Sequence, residues 1–347
     1  MGKKKRKERI GRMNILKLFW GTVTNDQNIG NLFGYRVHNE MLKKYIKMRD
    51  DVILVGSVEE AEACLYISTP EIFDHRPNKP TFLFTMFEAL SLHPLYAEKI
   101  QKADFILVPS TFVKGVFSPH FPENKIWVVP HGVEEDFRFV LRKKNPKKFR
   151  YLWIGAPNPR KGYQELIYVW GKLGLSNNPE IELYIKTTRV PNVTIQRKGN
   201  VILDSRIATR EEMIKIYQDA HCFVWPTRGE GWGLPLAEAM ATGLPCIATG
   251  FSGVLDFFDS KVGYPLKYSL GLMDMTSPIF GNMGKVEAAL PDVKDLIENM
   301  IYVKNNYKHA LQKGRLASAR IKARFTWENS AENLVNAIRE GLSIRGN

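Results

Sequence analysis

The chain has 347 residues, 44% of them hydrophobic, which exceeds one domain of ordinary size and supplies apolar matter for two cores. No apolar run approaches the roughly 20 residues that span a bilayer, and no long apolar region with a cleavage site follows the charged start, so neither a spanning helix nor a secretory signal is expected. Part of the net charge of +14 sits in "KKKRKER", read as a solvated, disordered tail over residues 1–12, whose functional alternative is attraction to anionic lipid at roughly 1 kcal/mol per basic residue near the surface.

With no zinc-finger spacing and no aromatic–basic RNA signature, no nucleic-acid partner is expected. Cys64, Cys222 and Cys246 lie far apart in apolar surroundings. They are an odd count without metal-ligand spacing, and read as buried free thiols of a reducing compartment. The expected location is the cytoplasm, with peripheral contact at the inner membrane surface left open through the basic tail.

"NILKLFW" reads as a first strand. "TNDQNIGNLFG" is a polar, glycine-bearing loop, and "YRVHNEMLKKYIK" an amphipathic helix. "DVILVG", "ACLYIS", "TFLFTMF" and "DFILVPS" have buried-strand length. Ser110 suits the N-cap of a helix over "TFVKGVF", and "KIWVVPHGV" closes the half. "RFVLRKKNPKKFR" has the composition of a linker. The alternation then restarts with strand "RYLWIG", helix "KGYQELIYVWGKLG" and strands "IELYIK" and "VILDS". Helix "TREEMIKIYQDA", capped by Thr209, and strand "CFVWPT" follow. Past a glycine-rich motif come strand "PCIAT" and helices "PDVKDLIENMIYVKNN" and "WENSAENLVNAIREGL". Strands alternating with helices predict parallel, doubly wound sheets, hence two Rossmann-like domains in an α/β fold.

The motif is "PTRGEGWGLPLAEAMATGLPCIAT", residues 226–249. Ligands of open parallel sheets bind beyond the carboxyl ends of the strands. The predicted strand ends at Thr227, which puts Arg228 to Leu234 in that crevice. Gly229, Gly231 and Gly233 permit close backbone approach. Pro235 suits the first turn of the following helix and Gly243 its stop, so the helix points its free amides at the crevice, where they attract an anion such as phosphate. Glu230 then lies in the loop and Glu238 one turn inside the helix, and carboxylates are good acceptors for paired sugar hydroxyls. Each acid gripping a different polyol, with amides between them holding a charge, accounts for the pair better than a solvated loop residue and a helix-dipole carboxylate.

Here the chain resembles the GT-B glycosyltransferases, and within them the retaining family 4 ("group 1"), whose "EGFGLPxLEAMAxGxPVIAT" pattern stands here as "EGWGLPLAEAMATGLPCIAT". "FILVPSTFVKGVF" and "WVVPHGV" are similar to the family's first domain, and "FTWENSAENLVNAI" to its last helix, which crosses back onto that domain. The resemblance implies two Rossmann-like domains facing each other across a cleft: an acceptor-side domain over 13–140, a linker over 141–149, a nucleotide-sugar-binding domain over 150–325 and a returning helix over 326–347.

It further implies that Glu230 contacts the donor sugar, Glu238 the ribose, and the amides of Trp232, Gly233 and Leu234 the diphosphate or sugar. The family's basic pair lies in a loop like "GRxxxxKG". Here "GAPNPRKG" keeps Lys161 and Gly162 but has Ala156 for the Arg, and Arg160 is the candidate replacement. Gly30 is assigned to close approach of the diphosphate, with plain turn formation as the alternative. Glu88, in "FTMFEAL", is read as binding acceptor or donor, or as starting a helix. His131 is read as shaping the interdomain turn rather than doing chemistry.

The implied activity is metal-independent, retaining transfer of a hexose from a nucleotide-diphosphate sugar to a glycan, lipid-linked or other hydroxyl acceptor, without a further cofactor. A sugar-nucleotide epimerase and a non-catalytic nucleotide-sugar binding protein stay open as alternatives.

Overall fold

The computed structural model describes residues 15–22, 33–70, 73, 78–174, 178–187, 194–274 and 284–345. Gly30 and the basic tail of residues 1–12 lie outside the described residues.

The first domain is a six-stranded, wholly parallel sheet in the order β2-β1-β3-β4-β5-β6. Its strands are β1 Leu16–Thr22, β2 Val52–Val55, β3 Ala63–Ile67, β4 Thr81–Phe84, β5 Phe105–Val108 and β6 Ile126–Val128. β3, β4 and β5 are buried along their whole length, as expected of strands covered on both faces. The helices of this domain are α1 Phe33–Lys47, α2 Pro94–Lys99 and α3 Thr111–Phe117. The Ser110 hydroxyl caps α3 by accepting from the Val113 amide.

The second domain is a seven-stranded sheet in the order β13-β12-β11-β7-β8-β10-β9. Its strands are β7 Phe149–Gly155, β8 Ile181–Thr187, β9 Ile195–Lys198, β10 Val201–Asp204, β11 Cys222–Trp225, β12 Cys246–Thr249 and β13 Tyr264–Leu266. β9 runs antiparallel to β10, and the other pairs are parallel. α4 Tyr163–Lys172, α5 Arg210–Asp219 and α6 Leu234–Ala241 are its connecting helices. Thr209 and Glu212 form a full capping box at the start of α5. β11 stops at Trp225, two residues short of the expected end, where Pro226 has no amide to donate to a ladder.

The chain enters the second core at Val133 and Phe137, ahead of the expected 141–149 linker. Arg142, expected in that linker, is buried and donates to the carbonyls of Ala220, Thr242 and Tyr217 at 3.0, 2.8 and 2.9 Å. A hairpin of β14 Tyr268–Asp274 and β15 Lys285–Pro291 follows β13. It reaches across to bury Met273, Val286 and Ala288 in the first domain's core.

α7 Val293–Asn305 and α8 Tyr307–Arg324 complete the second domain, and α9 Trp327–Arg345 returns to the first. α9 packs Trp327, Leu334, Val335 and Ile338 among first-domain residues. Burying a large apolar side chain as completely as Trp327 contributes about 1.5–3 kcal/mol, so this helix is an anchor and not a tail. All three cysteines are free and buried. Among the described residues no helix is long and apolar enough to cross a membrane.

Candidate active site

The loop between β11 and α6 carries the first acid. Glu230 is 5% exposed, and both its carboxylate oxygens accept from Lys161 Nζ, at 2.7 and 2.8 Å. Arg160 Nη1 lies 3.1 Å from Glu230 Oε2, and the Thr227 hydroxyl donates to Oε1 at 2.7 Å. The backbone is fixed as firmly. The Glu230 amide donates to Ser252 Oγ at 2.8 Å, and its carbonyl accepts from the Gly253 amide at 3.0 Å.

Arg160 and Lys161 reach this point because "NPRKG" forms a single 3₁₀ turn, Pro159–Lys161, closed by Gly162 in the left-handed conformation. The Arg160 carbonyl accepts from the Arg228 amide at 2.7 Å, which ties this turn to the glycine loop. The Lys161 ammonium also lies 5.1 Å from the centre of the Trp225 ring.

Burial alone would raise the Glu230 carboxyl, but the charges of Lys161 and Arg160 reverse this and hold it below the usual carboxylate range. For Lys161, burial and the neighbouring Arg160 outweigh Glu230 and lower the ammonium. For Arg160, burial is overcome by Glu230 and Glu88, which raise the guanidinium.

The second acid belongs to a separate network. Glu238, on α6, accepts from the Tyr217 hydroxyl at 2.8 Å and from Arg210 at 3.4 Å. Arg210 also pairs with Glu134, and its guanidinium stands 4.0 Å over the Phe137 ring. Burial is the largest influence on Glu238 and raises its carboxyl, against the opposing pull of Arg210 and Tyr217.

Gly233 precedes α6 at φ +110, a region that L side chains rarely adopt, and so turns the chain into the helix at Leu234. The Trp232 indole points away from the loop. It is buried and packs on Phe257 and Phe325 at ring distances of 4.7 and 5.2 Å, which leaves the backbone of this residue as its contribution to the loop. Ser110 Oγ donates to the Gly231 carbonyl at 2.7 Å across the domains.

Glu88 also comes to the site, from the first domain. Its Oε1 lies 3.4 Å from Arg160 Nη2. The Glu88 carbonyl sits so close to Gly229 that a Cβ there would approach it to 2.0 Å. His131 is elsewhere. It is buried in the turn after β6, stacked 4.1 Å from His38 and 5.9 Å from Trp327, and neither histidine has a hydrogen-bond partner among the described residues.

Glu230, Lys161, Arg160 and Glu88 are thus brought together, Glu238 stands in its own network, and His131 packs between domains. Sequence reasoning missed Thr227, Ser252, Tyr217, Arg210 and Glu134. Among the described residues no group of three or more His, Cys, Asp or Glu side chains could hold a metal ion.

Residues 148–266 match the family model "Glycosyl transferases group 1". The second domain belongs to that family. This group 1 domain includes both acids and the Arg160–Lys161 turn. The chain is 26% identical over 193 residues to a sucrose synthase from Acidithiobacillus caldus, a match covering 53% of this chain and 22% of that protein, so it spans well under two thirds of that relative's length. The whole chain has the GT-B fold. It is similar to sucrose-phosphate synthase from Thermosynechococcus elongatus, with a TM-score of 0.62 at 13% identity, covering 92% of this chain and 81% of that one. It is also similar to HepE from Anabaena in complex with UDP and glucose, with a TM-score of 0.64 at 11% identity, covering 93% and 99%.

Proposed function

We propose that the protein transfers a hexose, with retention, from a nucleotide-diphosphate sugar to a hydroxyl acceptor, and that it needs no metal. The observation that carries this is the largely shielded cluster of Glu230, Lys161 and Arg160 beside the amino end of α6 in a group 1 domain. Solved structures of similar fold are complexes with UDP-glucose, and with UDP together with a GlcNAc-glycerol, which supports a sugar nucleotide as donor and a glycan-like acceptor.

Breaking the sugar–phosphate bond leaves positive character on the sugar and negative charge on the diphosphate. Arg160, Lys161 and the amides at Gly233 and Leu234 are the groups of this chain suited to hold that charge in a site already shielded from water. Glu230, kept ionised by the same cations, faces the sugar as hydroxyl acceptor and positioner. Glu238 is assigned to the ribose. No side chain here is assigned as base. The acceptor proton passes to the leaving phosphate, on the face from which the acceptor attacks.

The test is incubation with UDP-, GDP- and ADP-sugars. Slow release of free sugar and nucleoside diphosphate supports the transferase. Conversion of the sugar to an epimer, or binding without turnover, overturns it.

A further inference from the structure

Arg160 is shared between two carboxylates on opposite domains. Its Nη1 is 3.1 Å from Glu230 in the second domain, and its Nη2 is 3.4 Å from Glu88 in the first. Both members of the cross-domain pair are largely shielded, with the Arg160 and Glu88 side chains 12% and 14% exposed.

Glu88 is delivered to this position by a fixed backbone. The Tyr35 hydroxyl, on α1, accepts from the Met86 amide at 2.9 Å and lies 3.3 Å from Thr85 Oγ1. On the other side the Leu90 amide donates to the Glu287 carbonyl of the hairpin at 3.1 Å. The next hairpin contact, Ala289 amide to Arg228 carbonyl at 2.9 Å, returns to the glycine loop. The Glu88 carboxylate is therefore a built part of the seam and not a free surface group.

Counting charge at this seam, the two cations Arg160 and Lys161 face the two carboxylates Glu88 and Glu230. A diphosphate arriving here meets cations whose charge is already neutralised. It gains the full attraction of Arg160 only if one carboxylate withdraws. Glu230 is held by Lys161 and Thr227 as well as Arg160, whereas the ion pair of Glu88 is with Arg160. Glu88 is the partner that yields.

We propose that Glu88 is an interdomain latch that competes with the donor diphosphate for Arg160, so that diphosphate binding and release of the first domain from this seam are coupled. This rests on the assignment of Arg160 and Lys161 to the diphosphate made above. Linkage makes the coupling reciprocal: a ligand that displaces Glu88 binds more tightly once Glu88 cannot compete. Glu88 is thus a positioning residue acting through Arg160.

The experiment is calorimetric titration of the full chain with UDP, GDP and ADP, comparing the parent with Glu88→Gln, Arg160→Gln and the double variant. We expect Glu88→Gln to bind whichever nucleoside diphosphate the parent binds about tenfold more tightly, as removal of a close opposing charge predicts. In the Arg160→Gln background the same change is expected to alter affinity less than about twofold, because the residue acts through Arg160. Equal or weaker binding by Glu88→Gln overturns the latch. A tenfold gain that persists without Arg160, including recovery of binding in a double variant where Arg160→Gln binds too weakly to titrate, shows a general field effect and also overturns it. Binding of no nucleoside diphosphate to the parent or to Glu88→Gln overturns instead the diphosphate site on which the latch rests.

Discussion

Lys161 Nζ sits 2.7 Å from one carboxylate oxygen of Glu230 and 2.8 Å from the other, although 69 residues separate them in the chain. The pair joins the turn after β7 to the loop after β11 at the carboxyl ends of neighbouring strands. Replacing Glu230 with Gln keeps the shape and the contact with Thr227 but leaves the largely shielded Lys161 without its anion and Arg160 with Glu88 alone. We expect donor turnover to fall roughly hundredfold or more, the scale of losing one aligned charge-stabilising group. We also expect destabilisation of about 3 kcal/mol, the usual consequence of breaking a buried pair from one side. Initial rates and melting curves of the variant check both, and unchanged turnover removes Glu230 from the mechanism.

The two acids titrate in opposite senses, and this gives a pH signature. The Glu230 carboxyl is held below its ordinary 4.5, so the stability it contributes is present above that value and lost as pH falls through the lowered one. The Glu238 carboxyl is raised above 4.5, so its contribution is present below that value and lost as pH rises through the raised one. The melting temperature of Glu230→Gln should therefore approach the parent's as pH falls below 4.5. That of Glu238→Gln should gain on the parent as pH rises above 4.5. Parallel shifts of both variants across this range would contradict the two environments.

Much of this architecture was readable from residues alone, and the exceptions have physical causes. The strands in "TFLFTMF", "DFILVPS", "CFVWPT" and "PCIAT" are short apolar runs because both of their faces are buried, and the Ser110 and Thr209 caps follow from hydroxyl chemistry. α8 escaped notice because between Tyr307 and Ile321 its buried face is built from Ala310, Gly314, Ala317 and Ser318, small residues that give little hydrophobic contrast amid many Lys and Arg. Gly314 is there for contact, since a Cβ would meet the Gly243 carbonyl at 2.3 Å. The hairpin escaped because Leu270 and Leu272 are exposed, so its alternation does not separate an apolar from a polar face. At the site, the glycine loop and its two acids were visible as a pattern. The partners Thr227, Ser252, Tyr217 and Arg210 were not, because no local spacing links them to Glu230 or Glu238.

His38 and His131 stack at 4.1 Å in the seam between α1, the turn after β6 and α9, against Phe84 and Trp327. Burial lowers His131 to about 3, and burial with the neighbouring His131 lowers His38 well below 6.5. A base depressed in this way stabilises the fold above its unfolded value of 6.5, and that stability is lost as pH falls below it. At pH 5 the loss for His131 is about 2 kcal/mol, from 1.36 kcal/mol per unit. His131→Phe should therefore gain on the parent in melting temperature between pH 7 and pH 5. An unchanged difference over that range would mean that His131 protonates without opening the seam.

Gly229 tests the seam by shape alone. Its φ lies outside the left-handed region, so alanine is sterically acceptable to the local backbone. The added Cβ, however, would stand 2.0 Å from the Glu88 carbonyl, and that atom is backbone held by its neighbours. The glycine loop and the first-domain loop must then move apart, which lengthens the Arg160–Glu88 pair and disturbs the bond from Arg160 to the Gly229 carbonyl, now 2.7 Å. Neither core is touched, so the melting temperature should fall little. The radius of gyration in solution should increase, and transfer should drop tenfold or more, as misplacement of groups by about 1 Å can cause. A Gly229→Ala protein with parental scattering and parental rate would show that the two loops are not held in register at this contact.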